Sequence, residues 1–367
     1  MRLTNYWWLL IWLVLAGGFL QMAFPKQPVR VLGRTEYRWH WIPAIILAVP
    51  YVVWAANRAW FGDTEVYRSS FLKVPTSLAE FSDFLAQQTK DKGFTVLSFV
   101  IKQLIGNQDV LFFLIIAAFQ MFCVVYFFRK YSTNFLLCFF MFIASTDYLS
   151  WMFNGIRQFI AVGLTLLCFG LILRKKYVAA ILLVCLAGTI HGSAFLMLPV
   201  IFVVQGQAWN KRTLFAIMAV AAAIIFVGQF TSMLGGILED TQYSDMLSGE
   251  IWAADDGTNI LRVLFYSVPA LMALVGRRQI KNSGDPVINL CANYAIVTAL
   301  FYALSAVTSG IYIGRIPIYT TFPGYVVAVW LLDRMFTRDS VRIAKIAFAS
   351  AYLVFFYYQM HFTWQII

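Results

Sequence analysis

The residue with the plainest chemical use is Arg157, which opens an otherwise uncharged apolar stretch in Trp151 to Gly163, WMFNGIRQFIAVG. Asn154 and Gly155 read as the turn between two hydrophobic helices. Arg157 and Gln158 then fall in the first turn of the second helix, at the level of lipid headgroups. Arg315, in SGIYIGRIPIY, repeats the arrangement with Pro317 just inside it. A guanidinium grips phosphate oxygens in pairs and stays charged at any physiological pH, and a helix N-terminus adds amide donors. Two such cations suit a pyrophosphate. Either arginine would equally serve as an anchor that snorkels at a helix end. Asp63 and Glu65, in GDTEVYRSSF, are carboxylates at i and i+2 that can chelate one cation from an extended loop, although Asp63 also suits a helix start. His191, in the turn His191-Gly192-Ser193, brings a side chain that titrates near neutrality, with a hydrogen-bonded turn residue as the plainer reading.

The elements that must position these groups follow from composition. Of 367 residues, 61% are apolar and only 12% charged, with a mean hydropathy of +0.74, which excludes a water-soluble domain. The chain reads as one polytopic, all-α membrane domain over residues 1–367. Apolar segments fall at about 5 to 24, 41 to 60, 109 to 128, 134 to 153, 157 to 173, 177 to 190, 193 to 206, 213 to 231, 260 to 276, 287 to 309, 316 to 333 and 343 to 360, or twelve crossings. The first is too long for a signal-peptide core and is expected to be retained. Five cysteines all lie in apolar runs without C-x-x-C spacing, so neither a disulfide framework nor a zinc site is expected.

Lys and Arg gather in alternate connections: Lys26 to Arg38, Arg129 and Lys130, Arg174 to Lys176, Lys211 and Arg212, Arg277 to Lys281, and Arg334 to Lys345. Positive-inside topology makes these cytoplasmic and turns both termini outward. It also accounts for the net charge of +11 without nucleic acid as a partner. The run Val178 to Gln205 must then turn back near Thr189 to Ser193, as two helices of about 14 residues, short of the roughly 20 a crossing needs. A short or re-entrant hairpin with His191 at its outer tip is expected. Two outer connections are long. Residues 61–108 hold short amphipathic helices at Leu78 to Leu85 and Phe94 to Ile105, lying along the membrane surface. Residues 232–259 carry Glu239, Asp240, Asp245, Glu250, Asp255 and Asp256, expected as a solvated acidic cap. No repeat, nucleotide motif or dinucleotide glycine pattern occurs, and no cofactor is expected. Under this topology Asp63 to Arg68, Lys90 to Phe94, Asp147, Arg157, His191 and Arg315 share one outer layer, and Asp147 is expected to pair with an arginine.

Asp63-Thr64-Glu65 resembles the acidic signature with which glycosyltransferases hold a metal or orient an acceptor. With the K-D-x-G-F element (Lys90, Asp91, Gly93, Phe94), the I-R-Q-x-I-A helix start, the H-x-S-A turn (His191, Ser193, Ala194) and the late G-R-I, the chain resembles the EpsG-like branch of the Wzy-type polysaccharide polymerases over most of its length. The resemblance implies a many-helix enzyme similar to the GT-C glycosyltransferases. It implies joining of undecaprenyl-pyrophosphate-linked oligosaccharide repeats on the outer face of the bacterial cytoplasmic membrane, with donor, acceptor and bilayer as partners and a chain-length regulator protein as a further candidate.

A hydroxyl of one lipid-linked repeat would attack the sugar that leaves the lipid pyrophosphate of another. Arg157 and Arg315 would stabilise the departing charge, and no metal is called for. His191 suits the base by histidine's ordinary pKa of about 6.5, with Asp63, Glu65 or Asp91 as alternatives if burial raises them. Gln158, Tyr67, Arg68, Lys90, Lys92, Phe94, Tyr312 and Tyr319 adjoin the motifs and complete the expected binding set. A flippase for the same lipid-linked glycan, an O-antigen ligase and a membrane acyltransferase are the rival readings. A transporter would place polar groups at the bilayer midplane in repeat-related halves, and neither feature is visible.

Overall fold

The computed structural model describes residues 6–58, 62–238 and 256–365, the side chains of 234–238 excepted. Glu239, Asp240, Asp245, Glu250 and Asp255 of the expected acidic cap lie outside the described residues. The chain forms two compact units, Met1–Phe195 with Phe336–Ile367, and Leu196–Met335.

In the first unit, α1 (Tyr6–Ala23) leads through strands β1 (Gln27–Val31) and β2 (Arg34–Arg38) to α2 (Trp41–Ala56). The two short strands interrupt an otherwise helical chain. They pair antiparallel with Val31 opposite Arg34, across a two-residue turn in which Leu32 and Gly33 both take positive φ, the backbone that matches hairpin twist. Helices α3 (Thr64–Lys73), α4 (Leu78–Ala86) and α5 (Lys92–Ile105) follow, the last two where amphipathic spacing places them. Then come α6 (Asp109–Tyr131), α7 (Phe135–Ala144), α8 (Asp147–Asn154), α9 (Ile156–Leu173) and α10 (Tyr177–Ile190). Helix α6 packs on α2 and α9. Helices α9 and α10, joined by the short Arg174–Lys176 turn, pack side by side, so the start of α9 and the end of α10 meet.

Helices α7 and α8 bend by 66° at Ser145-Thr146, where Thr146 is left-handed, and α8 ends in a π-turn, Ser150–Asn154, before Gly155. Buried hydroxyls in this unit reach backbone carbonyls: Tyr6 to Ile143, Tyr51 to Leu9 and Tyr148 to Tyr51. Tyr6 also stacks on Phe356 of the C-terminal helix Ser340–Tyr358, which ties the chain's end to its beginning. Asp147, 1% exposed, has the hydroxyls of Tyr6 and Tyr352 among its electrostatic neighbours.

The second unit contains α11 (Met197–Val203), α12 (Lys211–Ile225), α13 (Val227–Leu238), α14 (Ile260–Val275), α15 (Arg277–Ser283), α16 (Pro286–Ala306) and α17 (Ile318–Met335). Helices α14, α16 and α17 pack on one another. Among the described residues, five helices are long and apolar enough to cross a membrane, or eight if each of three bent pairs is one span. Hydropathy alone suggested twelve crossings. Every one of those segments is helical, but Trp41–Ala56, Tyr177–Ile190 and Gly192–Val203 are shorter than a full span.

Candidate active site at Asp91

Three segments distant in sequence converge on one carboxylate. Asp91 stands just before α5 with φ at +52°, a left-handed conformation that Asp tolerates better than most residues. Gly93, two residues on, lets α5 close on the end of α10: a Cβ there would lie 2.7 Å from the Thr189 carbonyl carbon. That approach brings Asp91 to the break after α10, where His191 leaves the helix in an extended conformation. Asp91 Oδ2 lies 3.2 Å from His191 Nδ1 and 2.9 Å from Arg157 Nη1, while Oδ1 accepts the Gly192 amide at 3.2 Å.

The electrostatics of this cluster set its protonation. Burial raises the Asp91 carboxyl, but the His191 hydrogen bond and charge, the Arg157 guanidinium and the Gly192 amide outweigh it and hold the carboxyl below its ordinary value. Asp91 is therefore an ionised acceptor and a weak base. Because a carboxylate only accepts, Nδ1 of a neutral His191 must carry the proton, which leaves the Nε2 lone pair for another donor. The His191 side chain is 23% exposed and that of Arg157 39%, so both reach the surface beside a carboxylate that is itself only 6% exposed.

Tyr67 lies beside Arg157. The Arg157 guanidinium lies 5.8 Å from its ring centroid, and the hydroxyl meets the Asn154 carbonyl at 3.5 Å. Burial raises the phenol against the opposing pull of Arg157, so it stays protonated. Tyr67, Phe94, Ile156 and Ile190 share one apolar cluster, which packs α3, α5, α9 and α10 beneath the polar groups. Phe94 and Gln158, expected at the substrate, are 8% and 4% exposed.

Of the two readings of Asp63, the structure has the helix start: it stands at the N-cap position of α3 without a side-chain capping bond, and its amide donates to the Asn154 side-chain carbonyl at 3.1 Å. Glu65 turns outward to Arg68, 2.7 Å away, and Arg68 also binds Asp109 at 2.5 Å. The helix separates the two carboxylates, and no group of three metal-binding side chains occurs among the described residues. Lys90 and Lys92 are exposed on either side of Asp91. Arg315 is exposed at the end of a short 3-10 turn in the second unit, and Tyr319 is buried there at 2%.

One residue that sequence reasoning passed over, Arg58, and one it read only as a turn, Asn154, hold the site together. Arg58, 4% exposed, donates to the carbonyls of Ala55, Met152 and Phe153 and lies over the Phe113 ring, which fixes the π-turn leading to Asn154. Its signal was a lone charge at the end of an apolar run. Asn154 joins the acidic loop to the arginine helix, and Gly62, at φ +50°, leaves it room.

A family model matches residues 41–365, almost the whole chain, and it includes all of these groups. The chain belongs to the EpsG family. This is the family of Wzy-like polysaccharide polymerases, and a multi-pass membrane protein with a polysaccharide polymerase-like role is what membership and the apolar helices together support. No curated protein and no solved structure is significantly similar to the chain. The K-D-x-G-F, I-R-Q and H-x-S-A stretches of this sequence are the three pieces that meet at Asp91.

Proposed function

We propose that the chain joins lipid-pyrophosphate-linked oligosaccharide repeats, undecaprenyl being the carrier that family membership suggests, at the outer face of the bacterial cytoplasmic membrane. The observation that carries this reading is the shared contact of Asp91 with His191 Nδ1 and with Arg157, a base and a phosphate-type cation set side by side. His191 Nε2 takes the proton of the acceptor hydroxyl as that oxygen forms its bond to the anomeric carbon. The bond from the anomeric carbon to the pyrophosphate oxygen breaks, and the lipid pyrophosphate leaves with the electron pair. Asp91 holds the imidazole in the tautomer that leaves Nε2 open and steadies the imidazolium that forms, without itself accepting the proton.

Arg157 faces the leaving group. A guanidinium has five N–H groups and can keep one on Asp91 while presenting others to phosphate oxygens as negative charge grows there. Lys90 and Lys92 draw the anion in, and Arg315, in the second unit, is kept as a phosphate-binding candidate in its own right. Asp63 orients the acceptor sugar beside Tyr67, whereas Glu65 and Arg68 brace the loop.

Purified protein reconstituted with synthetic lipid-linked repeats tests the reading. A polymerase yields a ladder of lengthening lipid-linked products without nucleotide sugar. Transfer only to a different acceptor gives a ligase, and movement of the substrate across the bilayer with no new glycosidic bond gives a flippase.

A further inference from the structure

The second unit has a basic cavity of its own. It has a volume of about 390 Å³ and is lined by the loop Gln207–Trp209, by Arg277, Arg278 and Lys281 of α15, and by Asn289 near the start of α16. Arg277, Arg278 and Lys281 form no ion pair among the described residues, and no carboxylate lines the cavity. Positive-inside bias explains lysines and arginines at this end of the helices, but not the way the opposite wall is built.

That wall is held by two asparagines of α16, Asn289 at 8% and Asn293 at 0% exposure, amide side chains that are costly inside an apolar helix. Asn289 Oδ1 accepts the Ala208 amide at 2.8 Å. Asn293 Nδ2 donates to Val204, Gly206 and Gln207 carbonyls at 2.8, 3.4 and 3.3 Å. Trp209 sits at φ +59°, strained for so bulky a residue, and its indole N–H is tied to the Ala273 carbonyl. A plain connecting turn needs neither buried amides nor a left-handed tryptophan. Here they hold an indole and backbone amides against three cations at the end of a helix bundle.

We propose that this cavity binds a phosphate group, carried by the headgroup of an anionic phospholipid. Three cations without a counter-carboxylate supply the charge, the indole suits the headgroup boundary, and basic pockets between helices at the positive end of a membrane protein are suited to such lipids. The site is separate from Asp91, and its fate does not depend on the polymerase reading.

Native mass spectrometry of the full chain released from nanodiscs containing cardiolipin, phosphatidylglycerol and phosphatidylcholine tests it. The wild type should retain an anionic lipid over phosphatidylcholine. The triple variant Arg277→Gln, Arg278→Gln, Lys281→Gln should lose roughly a hundredfold of that preference. Lys175→Gln with Lys176→Gln, which removes cations from a turn in the first unit, should leave it unchanged. Trp209→Gly, which relaxes the backbone and so guards against misfolding, should also weaken retention. Thermal stabilisation by inorganic phosphate in pure phosphatidylcholine nanodiscs, lost in the triple variant, would assign a soluble phosphate to the same cavity. Equal retention of all lipids with no response to phosphate, or an equal loss in the first-unit control, would overturn the proposal.

Discussion

At the scale of single residues, Asp91 decides how the others behave. Its carboxylate is too well stabilised to be a good base, and for the same reason it is a good partner for one. His191→Gln should lower turnover by roughly a hundredfold or more with donor binding kept, because glutamine fills the space but cannot take the proton. Asp91→Asn should lose on the order of 10²- to 10⁴-fold, since an amide can donate to Nδ1 and favour the wrong tautomer. Steady-state assays of lengthening products at saturating donor separate these effects from binding; near-normal rates in both variants would dismiss the pair and return Asp63 to consideration as the base.

Linkage gives a second check on Asp91. Because its folded pKa is depressed, its contribution to stability is present above the ordinary carboxylate value of about 3.9 and is lost as pH falls through the folded value. The gap in Tm between wild type and Asp91→Asn should therefore be constant near neutrality and close below about pH 4. A gap that widened on acidification would contradict an ionised Asp91. Arg157→Lys and Arg315→Lys keep charge but lose the planar fork, and each should slow polymerisation by roughly thirtyfold to a thousandfold while the protein still inserts.

At the scale of elements, the site depends on how closely α5 approaches α10. Gly93 is the contact point, and a methyl group there meets the Thr189 backbone, which cannot rotate away as a side chain would. Gly93→Ala should push α5 off α10, lengthen the Asp91–His191 contact and remove most activity, with an overpacking cost of about 1–3 kcal/mol. Gly18→Ala is the matched control. Its Cβ would meet nothing within 4 Å, and alanine favours the helix, so stability should hold or rise. Thermal melts beside product assays of the two variants distinguish a displaced site from a general loss of packing; an active Gly93→Ala protein would mean the approach is not needed.

At the scale of the whole molecule, the proposed mechanism needs the Asp91 site on the side of the membrane where lipid-linked repeats are polymerised. Cysteines at Ser70 and Ser193 should react with an impermeant thiol reagent from outside intact cells, and one at Ser283 should not. Labelling at position 193 only from inside would put His191 on the wrong face for this reaction. Ser283 lies in α15 with the basic cavity, so its protection would also place that cavity on the cytoplasmic side, where the positive-inside bias puts it.

The membrane class, the helical segments and the break at His191 were legible in the sequence, because each depends on local quantities: apolar run length, flanking charge and a turn too tight for a helix to continue. Family membership was legible too, since short motifs in a fixed order survive without any contact being known. Spacing could not choose among Asp63, Glu65 and Asp91, three carboxylates in one connection. Only the tertiary structure shows which of them meets Arg157 and His191, by placing Asp63 and Glu65 at the start of α3 and seating Asp91 against residues 66 and 100 positions further on. Such a pairing has no local signature. It exists because a glycine at position 93 allows two helices to touch, and because a π-turn pinned by Arg58 places the start of α9 at the same point. The hairpin at Leu32-Gly33 and the cavity under Trp209 escaped sequence reading likewise, as both rest on backbone conformations that residue type permits without announcing them.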